Sequence, residues 1–370
     1  MLQRLYAHNF RCLENFEFKI GDTPSALLIG KNGAGKSTLS RVLKIFQGIG
    51  RGVNRVGELV KPDDFSLGRA GVPMRFEIEV KLDGKLFSYA LALELPENFR
   101  ELRVQEERLL VDGKQVFDRH QAQVSMATKG SSKTEAGFKI DWHFVALPLI
   151  QDVASAGTLT NWRQWLARMV ILAPIPQLMS GDSHEETLAP VENGGNFADW
   201  LTGLLAQYPA TYSTIYDYLK QVMPDLSEFK NTPSGKDTKS LVVRFESNKV
   251  LFEPFFDALS DGEKCEFLCA VVLAANKAYG PIFVFWDEPD NYLALSEVGH
   301  FIMALRRSFK SSGQIVVTSH NEEAIRAFSK ENTFLLFRNS HLEPTVIRPM
   351  SDFPQTDNVA EALLLNELGV

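Results

Sequence analysis

The chain has 370 residues, 45% of them apolar and 23% charged, which is the make-up of an ordinary globular protein with room for one large core or two modest ones. A net charge of −7 excludes a wholly basic nucleic-acid binder while leaving a local basic groove open. No apolar run is long enough to span a bilayer, the N-terminus lacks the pattern of a signal peptide, and three cysteines (Cys12, Cys265, Cys269) exclude a disulfide framework or a zinc site, so a reducing cytoplasm is the expected setting.

In chain order, residues 2–20 predict two strands joined by a turn at Asn9–Cys12. Arg11 on that turn has two readings, a contact to a bound nucleotide or a solvated turn arginine. The apolar run Ser25–Ile29 then leads into Gly30-Lys31-Asn32-Gly33-Ala34-Gly35-Lys36-Ser37-Thr38, followed by an amphipathic helix pattern from Leu39 to Phe46. Strand, glycine-rich turn and helix form the context of a phosphate loop, G-x-x-x-x-G-K-[ST]. Glycines let successive backbone N–H groups turn inward on phosphate oxygens, and the helix start adds partial positive charge. Gly30, Asn32, Gly33, Ala34 and Gly35 are therefore expected at ATP phosphates, with Lys36 at the β- and γ-phosphates, Ser37 on Mg²⁺, and Thr38 either capping the helix or bonding the α-phosphate.

Residues 41–75 are rich in Arg and Lys (Arg41, Lys44, Arg51, Arg55, Lys61, Arg69, Arg75) with recurring glycines, which predicts loop; a phosphate-tracking surface for DNA or RNA and a plain solvated loop both stand open. Met74 to about Trp142 alternates as antiparallel strands with hairpin turns at Asp83-Gly84 and Asp112-Gly113, and Lys129–Gly137 reads as a polar loop. Residues 158–169 predict a helix whose Trp162 and Trp165 suit a core better than base stacking. A short strand at Val170–Ala173, two helices over 196–223 split near Pro209, a polar loop at Asn231–Lys239 and a strand at Leu241–Phe245 make a mostly helical lobe.

Ser260-Asp261-Gly262-Glu263 opens a further helix in which Cys265 and Cys269 sit one turn apart as small core residues; Ser260 and Glu263 have capping-box spacing. The buried strand Ile282–Trp286 ends in Asp287 and Glu288, placing one carboxylate for Mg²⁺ and the next as general base on water, with Asp290 on the loop beyond. A helix over 296–309 precedes the strand Gln314–Thr318, which leads to His320, a candidate γ-phosphate sensor. A helix at 322–329, a strand at 333–337 and a short helix at 358–365 follow. Neither an internal repeat nor a heptad array is evident.

Taken together, these motifs and their order resemble the ABC-type ATPase heads of the soluble branch that includes SMC, RecF and OLD-like proteins. Asn9-Phe10-Arg11 is similar to the start of those heads, Ser260–Glu263 to their Ser-Gly-Gly-Gln signature, and Asp287–Leu293 to the OLD-like aspartate loop. The resemblance implies an α/β P-loop NTPase with ABC-ATPase head architecture, an antiparallel β lobe and a helical signature lobe. Four segments follow: 1–72 and 257–370 building the nucleotide core, 73–150 the β-rich insertion, and 151–256 the Q-loop region and helical lobe. It also implies ATP lying between two subunits, with Ser260, Asp261, Gly262 and Glu263 acting in trans, Asp290 as the D-loop residue, and Gln177 as a Q-loop metal ligand, Gln151 competing for that role. The partners implied are a second copy or higher homo-oligomer, a separate effector or nuclease chain and DNA through a local basic surface, with no membrane, in DNA repair or anti-phage defence. Two alternatives remain: a slow or non-hydrolysing scaffold that holds an effector, and a transporter subunit, disfavoured by the long separation of Lys36 from Ser260 and by the form of the aspartate loop.

Overall fold

The computed structural model describes residues 1–126, 136–151 and 157–353. In chain order its strands and helices are β1 (Leu2–His8), β2 (Phe16–Lys19), β3 (Ser25–Ile29), α1 (Lys36–Gly50), α2 (Val56–Leu59), β4 (Met74–Leu82), β5 (Lys85–Glu94), β6 (Arg103–Val111), β7 (Lys114–His120), β8 (Gln123–Met126) and β9 (Ala136–Lys139). There follow α3 (Thr158–Ala167), β10 (Val170–Leu172), β11 (Asp182–Ser183), α4 (Phe197–Gln207), α5 (Thr211–Val222), β12 (Leu226–Pro233), β13 (Lys239–Ser247) and β14 (Val250–Phe252). The last group is α6 (Asp261–Tyr279), β15 (Phe283–Trp286), α7 (Leu295–Ser311), β16 (Gln314–Thr318), α8 (Glu322–Arg326), β17 (Thr333–Phe337) and β18 (Val346–Pro349).

Three sheets organise the chain. The central one runs β10-β15-β16-β3-β17-β18, parallel except for β18 at its edge. Its inner strands are apolar on both faces because both faces are covered. Ala26 and Leu28 of β3, with Phe283 and Phe285 of β15, enter one core together with α1 and α3. Leu27 and Ile29, with Val284 and Trp286, enter a second core together with α4 to α7. The period-2 alternation of a strand thus divides the molecule into two cores that share one sheet.

The second sheet is antiparallel, β2-β1-β4-β5-β6-β7-β8-β9, so the strands expected over residues 73–150 continue directly from β1 and β2. β4 buries Met74, Phe76, Ile78 and Val80 in strict alternation. Both hairpin turns have positive φ at both central residues (Asp83 48°, Gly84 78°; Asp112 49°, Gly113 73°), which matches the right-handed twist of the flanking strands. Gly137, expected in a polar loop, lies in β9; most of that loop, and the helix expected at 358–365, fall outside the described residues. Trp162 is fully buried and stacks on Phe87 and Trp165 at centroid separations of 5.5 and 6.0 Å, so it is core.

Three expectations are corrected. The helix read to Phe46 runs on to Gly50, into the stretch read as largely loop. Gly50 is there because a Cβ would lie 2.5 Å from Leu166 and the Ala167 backbone, where α1 crosses α3. The lobe around 196–252 carries a small antiparallel sheet as well as helices: Asn231, Thr232 and Pro233, read as loop, pair with Leu241, Ser240 and Lys239, and Thr232 and Pro233 are exposed there, so this end of β12 carries no apolar alternation. The helix expected at 322–329 stops at Arg326. Among the described residues, no helix is long and apolar enough to cross a membrane.

Candidate functional site

The C-terminal ends of β3, β15 and β16 meet at the start of α1, and the chemistry converges there. Gly35 stands at the N-cap with φ of 107°, and a Cβ on it would lie 2.7 Å from the Thr345 hydroxyl, so both conformation and space require glycine. Thr38 does not cap α1; its hydroxyl lies 3.5 Å from the Cys12 thiol. Lys36 is almost wholly buried. Its Nζ donates to the Gly30 carbonyl at 2.7 Å and to His320 Nε2 at 2.8 Å, which makes Nε2 the unprotonated nitrogen of that ring. Burial lowers the pKa of both groups; the neighbouring Lys36 charge lowers that of His320 further, while Glu288 and Asp287 work against the shift on Lys36.

Ser37 Oγ donates to Asp287 Oδ2 at 3.1 Å, and Thr318 Oγ1 donates to Asp287 Oδ1 at 2.5 Å. A hydroxyl beside one carboxylate, both hard oxygen donors, fits Mg²⁺, which takes one or two protein ligands and fills its octahedron with phosphate and water. Among the described residues there is no cluster of three or more His, Cys, Asp or Glu to make an all-protein cage, in keeping with that donor set. Glu288 has φ of 48°, a left-handed conformation uncommon outside glycine. Two hydrogen bonds hold it: its N–H donates to Thr318 Oγ1 (2.9 Å) and Asn291 Nδ2 donates to its Oε2 (2.6 Å), while its Oε1 lies 3.4 Å from His320 Nε2 with no proton between them. Asp290 is buried and accepts from Ser319 Oγ at 2.7 Å through one oxygen, and the other has no partner among the described residues; burial raises its pKa.

A cleft of about 350 Å³ over this constellation is lined by residues 32–38 with Arg11, Cys12, Glu288 and Arg338. Arg11 lines the cleft, and its guanidinium pairs with Asp64 at 2.7 Å, so it is not simply a solvated turn arginine. Two residues here escaped sequence reasoning. Arg338 follows β17, and Thr345, just before β18, donates its hydroxyl to the Ala34 carbonyl at 2.9 Å. The one available signal was a strand end bordering the phosphate-loop strand, and that adjacency exists only in the folded sheet.

The signature segment lies elsewhere. Ser260 caps α6: its N–H and hydroxyl both donate to Glu263 Oε2 at 2.7 Å, and Glu263 N–H donates back to Ser260 Oγ at 3.3 Å. Among the described residues, none of Ser260 to Glu263 lines the cleft of its own chain. Gln177 is also away from the Ser37–Asp287 pair: its side-chain amide donates to Asp261, joining the turn at Pro176–Leu178 to the start of α6. Gln151 is exposed. Among the described residues, four of the seven basic side chains of the stretch are ion-paired within the chain. Lys44 pairs with Glu192, Arg55 with Glu101, Arg69 with Glu14, and Arg75 with Glu77 and Glu106, while Arg51 and Lys61 donate to the carbonyls of Ala167 and Gly57. Arginines spaced along the sequence look like a patch until the fold supplies their partners.

Residues 1–110 match a family model described as an AAA ATPase domain. No curated protein matches the chain. Among solved structures, the chain is similar to an SMC head bound to the C-winged helix domain of ScpA, with a TM-score of 0.57 at 12% identity over 95% of this chain and 99% of that one. The fold is that of an SMC-type ATPase head. A second such head, with an extended coiled coil and bound to the C-terminal domain of ScpA from Pyrococcus furiosus, aligns over 100% of this chain and 99% of its own with a TM-score of 0.50, also at 12% identity. In this chain the phosphate loop, Asp287-Glu288 and His320 follow strands of the parallel sheet, and Ser260 stands at the start of α6 in the other core.

Proposed function

We propose that this head binds and hydrolyses ATP and uses the nucleotide as an association switch. The observation that carries the reading is that Lys36, Ser37 and Glu288 line one cleft, with His320 bonded to Lys36 and Asp287 to Ser37 just behind it. In that cleft Lys36 would leave Gly30 and His320 for the β- and γ-phosphates, exchanging neutral partners for charged ones. Ser37 and Asp287 would hold Mg²⁺, which supplies charge neutralisation at the β- and γ-phosphates. Glu288, aimed by its backbone and by Asn291, would take the proton of the attacking water, and His320, released from Lys36, would face the γ-phosphate.

Ser260, absent from the cleft of its own chain, is free to close the cleft of a second copy, so that ATP is sandwiched between two subunits. The ion pairs of Lys44, Arg55, Arg69 and Arg75 weaken the case for a DNA surface there, and a separate effector chain in the cytoplasm is part of the proposal. Sedimentation velocity of Glu288→Gln, with and without Mg-ATP, tests it. The expected result is a rise in mass with ATP that Ser260→Arg abolishes, together with a fall in kcat of roughly 10²–10⁴-fold for Glu288→Gln. A mass that ignores ATP in every case sinks the switch, and an unchanged kcat removes Glu288 from the role of base.

A further inference from the structure

The order of the central sheet gives the cleft a direction. β3, which carries the phosphate loop, has β16 and then β15 on one side and β17 on the other. Glu288, Asp287 and His320, the groups that serve the terminal phosphate in the proposed function, all follow β15 and β16. A nucleotide lying across the loop with its γ-phosphate toward them must extend its nucleoside toward the β17 side. That end of the cleft is built by the β17–β18 connection and the Arg11-Cys12 turn, tied together by Thr345 N–H donating to the Cys12 carbonyl at 2.8 Å. Thr345 is itself buried and holds the connection against the phosphate loop through Ala34.

Arg338 is the polar side chain that this connection presents to the cleft. Its guanidinium is fixed by three carbonyls: Nε donates to Glu343 at 2.9 Å, Nη2 to His341 at 2.6 Å and Nη1 to Gly33 at 3.4 Å. Each of these bonds uses an edge of the group, so none of them occupies a face of its plane. A guanidinium held by its edges packs face-on against an aromatic ring at little further cost in order, which a lysine cannot imitate. We infer that Arg338 is a positioning residue for the nucleoside of the bound nucleotide, packing its guanidinium plane against the base. The inference rests on the proposed ATP site.

The experiment measures equilibrium binding of Mg-ATP and of Mg-tripolyphosphate, which has the phosphates and no nucleoside, to wild type, Arg338→Ala, Arg338→Gln and Arg338→Lys. Thermal unfolding of each unliganded variant confirms that it is folded. The expected result is that all three substitutions shrink the preference for ATP over tripolyphosphate by about fivefold, the worth of one stacking contact, and leave tripolyphosphate binding unchanged. A parallel loss of both ligands, or rescue by Arg338→Lys, would make Arg338 a phosphate anchor and overturn the inference. ATP binding unchanged in every variant would overturn it as well. Wild type that binds neither ligand would instead bring down the ATP reading itself, and this inference with it.

Discussion

Lys36 is held by a carbonyl and an imidazole, and that arrangement has a pH dependence. The imidazole accepts only while neutral. Burial and the Lys36 charge hold the His320 pKa below its ordinary value near 6.5, against Glu288, Asp290 and Asp287, which pull it up. A folded-state pKa below the unfolded one gives stability that is present above the unfolded pKa and is lost as pH falls toward the folded one, because the unfolded chain then binds the extra proton. The unliganded wild type is therefore expected to lose more thermal stability than His320→Gln between pH 7.5 and pH 5.5. Parallel melting curves for the two proteins across that range would remove His320 from this role. The identities of these residues could be read from the motifs, since the phosphate loop and the Asp-Glu strand end are local patterns. Their bonds could not: the Lys36–His320 pair joins positions 284 residues apart.

At the scale of the element, α6 combines a local signal with a long-range one. Its start follows from Ser260 and Glu263 alone. Its interior does not, because a helix buried nearly all round carries Glu266 inside it. Tyr218 of α5 donates to Glu266 Oε2 at 2.5 Å, and burial pushes the Glu266 carboxyl up to about 7. Here the folded pKa lies above the unfolded one, so the favourable contribution is complete below about pH 4.5 and is lost as pH rises through 7. Glu266→Gln is expected to be more stable than wild type at pH 8, on the order of 1–3 kcal/mol, and to lose that advantage near pH 4.5. Denaturant titrations at the two pH values check the sign; an advantage that does not depend on pH would mean the carboxyl stays ionised throughout. The small sheet beside α4 and α5 shows why neighbouring elements escaped the sequence. β11 and β14 are two and three residues long, and the polar end of β12 is defined by pairing with β13, with no apolar alternation to announce it.

For the whole molecule, the parallel strands were legible as apolar runs and the antiparallel ones as alternation with Asp-Gly turns. Their union into three sheets was not, because sheet order depends on which strands meet and leaves no periodic mark. Packing energetics follow the shared architecture. Trp162 fills the core between α3 and the antiparallel sheet, and its indole N–H has no partner among the described residues. Trp162→Ala is expected to cost about 3–5 kcal/mol through the cavity it leaves. Trp162→Phe should cost clearly less, because no hydrogen bond is removed. Chemical denaturation of both variants checks the ordering, and equal losses would mean that the indole N–H is bonded after all.

β3 gives Ala26 and Leu28 to one core and Leu27 and Ile29 to the other, and the phosphate loop is its direct continuation. A strand clamped from both sides has no slack to absorb a change at its tip. Whatever a bound phosphate does to stiffen the loop is delivered to both halves of the interior through one five-residue segment. The sheet that separates the two cores also keeps them mechanically in step.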